Sequence, residues 1–484
     1  MVAVERGLSR ASLLACALAL VPPAAARAQS PVADDAWRVS LANVTRVESW
    51  HFFDPPPTGG DPSYQFLANR LRVSLAGRWP RADFDSAVQV VQFAGLPATA
   101  VGPGALGTGA LYYMHSGQSD ARSVYLRTLA LRLRPGGGVT LQAGRFGYTS
   151  GAEAPSGSPT VEAIKRSRLD SRLIGEFEWS IFQRSFDGVR VDVDRKRWHA
   201  TGGWMVPTQG GFEDDAGRRL RGVNVAAVTL SLKPDTVLRS TEVALFGYRY
   251  RDTRDVTSRP DNTGRSTLRA DITVITFGAS AVRARPTARG ESELLAWFAG
   301  QAGDWYGQPH RAWSLALEAG HEWKARARPR VRGGYLHASG DQNPTDHRHG
   351  TFFANVPTVR KYSLTTVYAP MNLRDVFAEC VLRPHSRLIV RGDLRQLWLA
   401  EANDRWYGGS GATASTGGFF GYAGRPSGGS TGLGTVAEGS ADMRLGRYWS
   451  VNGFVGVIHG GNVVASSFVN RWLRFAYLES VVQF

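Results

Sequence analysis

The chain has 484 residues, with 57 Lys and Arg against 41 Asp and Glu, for a formal charge of +16. It is rich in glycine (55 residues) and in aromatics (11%), yet its mean hydropathy is slightly negative. Beyond the N-terminus no apolar run reaches the ~20 residues that a membrane helix needs, and two cysteines cannot make a disulfide scaffold. The basic surplus comes without a nucleic-acid-binding motif, so no nucleic-acid partner is expected.

What survives is an all-β chain, either soluble or a transmembrane barrel in which only alternate strand residues meet lipid. The N-terminus favours the barrel by marking export. Arg6 and Arg10 precede the apolar stretch Ala11 to Val21, and Ala26-Arg27-Ala28 precedes Gln29, so residues 1–28 read as a cleavable secretory signal. Leu14-Ala15-Cys16 fits a lipid-anchoring box less well, because the apolar run continues past Cys16. Residues 29–484 are then one barrel domain, with Cys380 as its only cysteine.

Strand-like blocks of period two follow from Trp37 onward. Arg46 and Glu48 share a face. Arg70, Arg72, Ser74 and Arg78 oppose Leu71, Val73 and Leu75; Arg132 and Arg134 oppose Leu129, Leu131 and Leu133. Arg184, Phe186, Gly188, Arg190 and Asp192 oppose Val189, Val191 and Val193. Arg249 and Arg251 alternate with Phe246, Tyr248 and Tyr250, and Arg387, Arg391, Asp393 and Arg395 oppose Leu388, Val390 and Leu394. Arginine facing mid-bilayer lipid costs ~2–4 kcal/mol, so in a barrel these rows belong to the lumen. Some of them pair with Glu48, Asp192 or Asp393 and brace the wall; the surplus is expected to concentrate anions.

Turn clusters such as Trp79-Pro80-Arg81, Pro135 to Gly138 and Arg383-Pro384-His385 separate the blocks. Roughly 25 residues per strand and connection give about 18 antiparallel strands, within a range of about 16 to 20. Gly95–Gly117, Asp252–Arg265 and Gly408–Gly434 are too long for tight turns and are expected on the extracellular rim or in the pore. The last strand alternates up to a terminal Phe484, which resembles the C-terminal signal of outer-membrane barrels, so the barrel-assembly machinery is an expected partner. No haem-attachment, nucleophile-elbow or paired-carboxylate signature stands out, so no catalytic residues are assigned and the chain reads as a non-enzyme.

One block is distinctive: Gly334-Tyr335-Leu336-His337-Ala338-Ser339-Gly340-Asp341-Gln342-Asn343-Pro344-Thr345-Asp346, then Thr351-Phe352 and Pro357-Thr358. Together with Arg184 to Arg190, Gly144-Arg145, Asn372-Leu373 and Leu399 to Tyr407, it resembles the alginate-export family of outer-membrane barrels. The resemblance implies an 18-stranded barrel in the outer membrane of a Gram-negative-type bacterium. It further implies an Arg-lined constriction that passes an anionic polysaccharide outward, with loops as gates and a periplasmic secretion complex as a possible partner. Arg184, Asp187 and Arg190 are the residues it carries over as wall positions.

Asp341, Asn343 and Asp346 have oxygen ligands at a spacing that could hold calcium, although turn chemistry accounts for the same residues. No other cofactor is expected. The reading is passive conduction of an alginate-like polyuronate. An anion-selective porin for small acids is the first alternative, and an outer-membrane barrel enzyme is the alternative of another class.

Overall fold

Alternating small, β-branched and aromatic residues build eighteen long strands. In chain order they are Trp37–His51, Ser63–Arg78, Ala82–Ala94, Arg122–Gly136, Val139–Phe146 and Phe186–Asp194. Trp198–Pro207, Val223–Leu232, Thr241–Asp252, Ile272–Thr287, Gly290–Trp305 and Gln308–Trp323 come next. Arg330–Ala338, Leu373–His385, Leu388–Leu399, Gly432–Arg444, Trp449–Gly460 and Trp472–Gln483 complete the set. The computed structural model describes residues 36–102, 104–262, 271–359, 362–365 and 367–484. The expected signal sequence, residues 1–28, lies outside the described residues.

Each strand pairs antiparallel with the next, and the first pairs with the last, from Ala42 opposite Gln483 to His51 opposite Arg474. The sheet is thus a closed 18-stranded barrel. Closure leaves no free edge, so every strand finds backbone partners on both sides without water. Among the described residues no helix is long and apolar enough to cross a membrane.

The two faces are inverted relative to a water-soluble protein. Val73, Leu75, Leu129, Leu131, Leu133, Val189, Val191, Leu294 and Leu317 are exposed on the outside, while charged residues such as Arg46, Glu48, Glu318, Arg332 and Arg395 are buried within. Connections at one rim are short: 79–81, 137–138, 195–197, 233–240, 288–289, 324–329, 386–387 and 445–448. Gly136, Gly137 and Gly138 all take positive φ (115°, 55° and 66°), which lets the chain reverse in that tight turn. Aromatic residues gather near this rim, with Trp37 edge-on to Trp79 at 5.2 Å and Tyr448 beside Phe484 at 5.4 Å.

The opposite rim carries long loops, and by the barrel rule it is the extracellular one. The three stretches expected to be long fall between strands that end at Ala94, Asp252 and Leu399 and strands that begin at Arg122, Ile272 and Gly432. Two longer ones, 147–185 and 339–372, were not anticipated, and they fold inward. The stretch 342–348 is mostly exposed and has the composition of a surface loop, whereas most of 171–185 and all of 351–359 are buried. The Arg383-Pro384-His385 turn is also displaced: the strand runs on to His385 through an irregularity after Leu382, and Ser386-Arg387 makes the turn.

Candidate functional site

Loop 147–185 fills the lumen. The Ser158 hydroxyl accepts from the Val161 amide at 3.4 Å and caps the helix Pro159–Ile164, which widens into the π-helical turn Lys165–Leu169. That turn and the residues just after it aim three cations at the wall. Lys165 Nζ lies 2.8 Å from Glu242. Arg168 donates to both oxygens of Glu318, from Nε at 2.7 Å and from Nη2 at 3.1 Å, and Arg172 Nη2 donates to the same carboxylate at 2.8 Å. On the wall Arg332 pairs with Glu293, Arg330 with Glu379 at 3.1 Å, and Arg395 with Asp375 at 2.6 Å and Asp393 at 3.1 Å. Glu379 and Asp393 are half-buried and the other charges are buried, where losing a partner would cost several kcal/mol, so the network fastens the loop in place.

Two further loops lock onto the first. Ile174 and Val356 form a parallel bridge, with the Gly175 amide donating to the Val356 carbonyl and the Val356 amide to that of Leu173, both at 2.9 Å. Arg184, fully buried, donates to the carbonyls of Val356 at 3.2 Å and Ala412 at 3.0 Å, joining loops 147–185, 339–372 and 400–431. Glu438, on the wall, grips the segment 362–365. Its carboxylate accepts from the Ser363 hydroxyl at 2.7 Å, the Thr365 amide at 2.9 Å, the Leu364 amide at 3.2 Å and the Thr365 hydroxyl.

Two cavities lie beneath these loops. A central one of about 550 Å³ is lined by Arg168, Arg330, Arg383, Arg391 and Arg395 together with Glu178, Glu379, Asp393 and Glu438. One of about 510 Å³ towards the periplasmic mouth is lined by Arg387, Arg391 and Arg444 with Asp442 and Glu479. Leu364, Arg391 and Ser440 line both. On the extracellular side an apolar pocket of about 200 Å³, lined by Phe177, Phe212 and Phe419, shares Trp179 with the central cavity. Trp179 packs edge-on to Phe177 at 5.0 Å, and Phe177 holds φ of 59°, a costly value for a bulky residue.

Most of the arginines expected on the lumen face are there, but they are engaged. Arg46 contacts Glu479 at 2.6 Å and Glu48 at 3.3 Å, and donates to the Trp179 carbonyl at 3.0 Å. Arg70 donates to the Ser180 carbonyl at 3.2 Å, and Arg72 donates to Gln89 at 2.7 Å and to Gln183. Arg78 pairs with Asp85, Arg132 and Arg134 with Asp83, Arg190 with Asp192 and Arg391 with Asp442. Along the cavities guanidiniums and carboxylates alternate, so the lining is interleaved rather than uniformly basic.

Four expected wall residues stand elsewhere. Arg184 precedes its strand, which begins at Phe186, and serves as the loop clasp already described. Asp187 shares the outward face of Val189 and Val191, where it binds Arg145 at 2.7 Å and Arg219 at 3.2 Å. Arg249 and Arg251 also face outward with Leu245. It is Tyr248 and Tyr250 that point inward, their hydroxyls donating to Glu153 at 3.2 Å and Asp252 at 2.8 Å. A lumen packed with polar loop accepts tyrosine, and arginine at the extracellular end of a strand lies beyond the hydrocarbon, so the lipid penalty does not decide the face there. Arg387 lies in a turn, yet it lines the periplasmic cavity.

Asp341, Asn343 and Asp346 each accept from a backbone amide two residues on, those of Asn343, Thr345 and Arg348 at 3.3, 3.2 and 2.9 Å. These are turn contacts. Among the described residues no group of three His, Cys, Asp or Glu is placed to hold a metal ion. Asp341 instead faces Asp404, which accepts from the Asp341 amide at 2.8 Å, and burial followed by that neighbour pushes Asp341 up to about 7.

Sequence reasoning missed Arg168, Arg172, Glu293, Glu318 and Glu438. Glu293 and Glu318 were visible as acids bordering apolar or small strand runs, Glu293-Leu294-Leu295-Ala296 and Leu315-Ala316-Leu317-Glu318-Ala319, of a basic chain. The alginate-export family profile matches residues 165–464. Among solved structures, OccK9 (OpdG) of Pseudomonas aeruginosa superposes with a TM-score of 0.57 at 9% identity, covering 93% of this chain and 98% of its own. OccK2 (OpdF) of Pseudomonas aeruginosa in complex with glucuronate gives 0.54 at 8%, covering 93% and 98%. OpdK of the same organism with vanillate gives 0.54 at 8%, covering 92% and 98%. At such identities the likeness is one of fold. No curated protein matches the chain.

Proposed function

This chain belongs to the alginate-export family and has the fold of an outer-membrane channel, and from that premise we propose that it conducts an anionic polysaccharide of the polyuronate type out of the periplasm. The observation that carries this reading is the pair of cavities sharing Arg391, with Arg383 and Arg387 also along them. Guanidinium forks can take carboxylates two bonds at a time, and wall carboxylates beside them compete for the same forks. A passing uronate therefore exchanges with Asp442 or Glu322, the present partners of Arg391 and Arg383, and no site holds it tightly. Many weak exchanges in series suit a polymer that must leave as readily as it enters.

Trp179 is shared by the central cavity and the apolar pocket, and Leu364 by the central and periplasmic cavities; in this reading the two form the gate. Opening requires loop 147–185 to draw back from the wall. Transport is passive in this reading, driven by synthesis or a concentration gradient.

A porin for small acids is the second reading, favoured by the two similarly folded barrels seen with glucuronate and vanillate. Release of uronate oligomers of graded length from proteoliposomes separates the two. Polymer export predicts release that persists as the chain grows, while release confined to monomers would leave the porin.

A further inference from the structure

The outward face of the barrel carries a basic row at one end that the conduction path does not use. At mid-height this face is apolar, with Val228, Leu245, Leu294, Leu317 and Val455 exposed. Towards the extracellular rim Arg249, Arg251 and Arg311 take the same parity, all three exposed. Strand register aligns them. Arg249 lies opposite Ile275, Ile275 opposite Ala302, and Ala302 opposite Arg311. Arg249 and Arg311 are thus three strand spacings apart, about 14 Å, and Arg251 lies about 7 Å further along its strand.

Aromatic residues mark the level. Trp204 falls in the Arg249 row through Ala226, and Phe277 and Trp313 lie one outward position nearer mid-height. Exposed at 50%, 54% and 44%, these three rings match the girdle that barrels place at the lipid interface. The arginines therefore sit at headgroup depth. Asp271, exposed just before the strand that begins at Ile272, and Asp304 are acids in this part of the face, and one oxygen of Asp304 already accepts from the Gly307 amide at 2.8 Å. Among the described residues none of the three guanidiniums has a carboxylate partner.

We infer that Arg249, Arg251 and Arg311 form a binding site for the phosphate groups of an anionic glycolipid in the outer leaflet. Charge and depth together select this occupant. The cargo is excluded because the row faces away from the lumen, and a neutral headgroup would leave three cations unmatched. Guanidinium forks suit phosphate oxygens, and the girdle rings below can pack against the acyl chains. Arg285, outward on the same strand as Ile275 but at the periplasmic end, provides an internal control.

Native mass spectrometry of the full chain, released from micelles with a bis-phosphorylated lipid A or its dephosphorylated counterpart, tests the site. The phosphorylated lipid should bind and the dephosphorylated one should not. The triple variant Arg249→Gln, Arg251→Gln, Arg311→Gln should bind roughly a hundredfold more weakly, the product of three surface charges. Arg285→Gln should bind as the parent does, and pore conductance should be unchanged in every variant. Equal binding of the two lipids by the parent chain would overturn the proposal without recourse to any variant. Undiminished binding by a triple variant that still migrates as a folded barrel would also overturn it.

Discussion

Arg168 and Glu318 tie the inward loop to the barrel wall through two parallel hydrogen bonds of 2.7 and 3.1 Å, and Arg172 shares the same carboxylate. Glu318→Gln would leave two buried guanidiniums facing a neutral amide. Breaking a buried pair in this way costs roughly 3–5 kcal/mol, here paid by the loop, because the strand ladder does not depend on it. The expected outcome is faster hydrogen exchange across residues 165–175 and a larger, noisier single-channel current, with the barrel still folded. Unchanged exchange and current would show that the loop is held by other contacts.

Glu438 is the second fastening. Its carboxylate takes hydrogen bonds from Ser363, Leu364 and Thr365, a segment that lines the central, periplasmic and extracellular cavities. Glu438→Ala removes charged hydrogen bonds worth about 1.5–3 kcal/mol each and should raise open probability, with Glu438→Gln intermediate. Planar bilayer recordings of the two variants against the parent would check that order.

The loop 339–372 should respond to pH through Asp341. Its carboxyl titrates near 7 when folded, against ~3.9 in an unfolded chain. Between those values the folded loop holds more protons than the unfolded one. Its stability is therefore complete below about pH 4, falls as pH rises to about 7 and is flat above. Hydrogen-exchange protection of residues 340–351, corrected for intrinsic rates, should be greater at pH 5 than at pH 8. Asp341→Asn should reduce the difference, with the remainder coming from Asp404, which burial also pushes up.

Arg184 is predicted to matter for closure and not for selectivity. Its guanidinium spans carbonyls of two other loops, which a lysine ammonium cannot reach in the same geometry. Arg184→Lys and Arg184→Ala should therefore loosen the loops alike, seen as increased protease cleavage within 339–372, while the reversal potential stays that of the parent.

The barrel was largely legible in the sequence, because period two in a transmembrane strand is enforced by lipid on one side. The strand number followed from chain length, the short turns from turn-residue clusters and the family resemblance from the Gly334 to Asp346 block, while Arg70, Arg132 and Arg391 lie on the face that period two assigned. It weakens at strand ends. There Arg249 and Arg251 escape the hydrocarbon, and parity alone cannot say which face is inside. Asp187 and Arg184 failed for the same reason, since both lie where strand passes into loop. The inward loops were illegible on different grounds. Their ion pairs join residues far apart in the chain, such as Arg168 with Glu318, and no local pattern records such a partner.

The central claim is that this barrel passes an acidic polymer along guanidiniums interleaved with carboxylates. Single-channel recording of the refolded protein under a salt gradient, with and without added polyuronate, tests it most directly. The account predicts an anion-selective reversal potential and polymer block that weakens in the double variant Arg383→Gln, Arg391→Gln. A cation-selective or unselective current that polyuronate leaves untouched would contradict it.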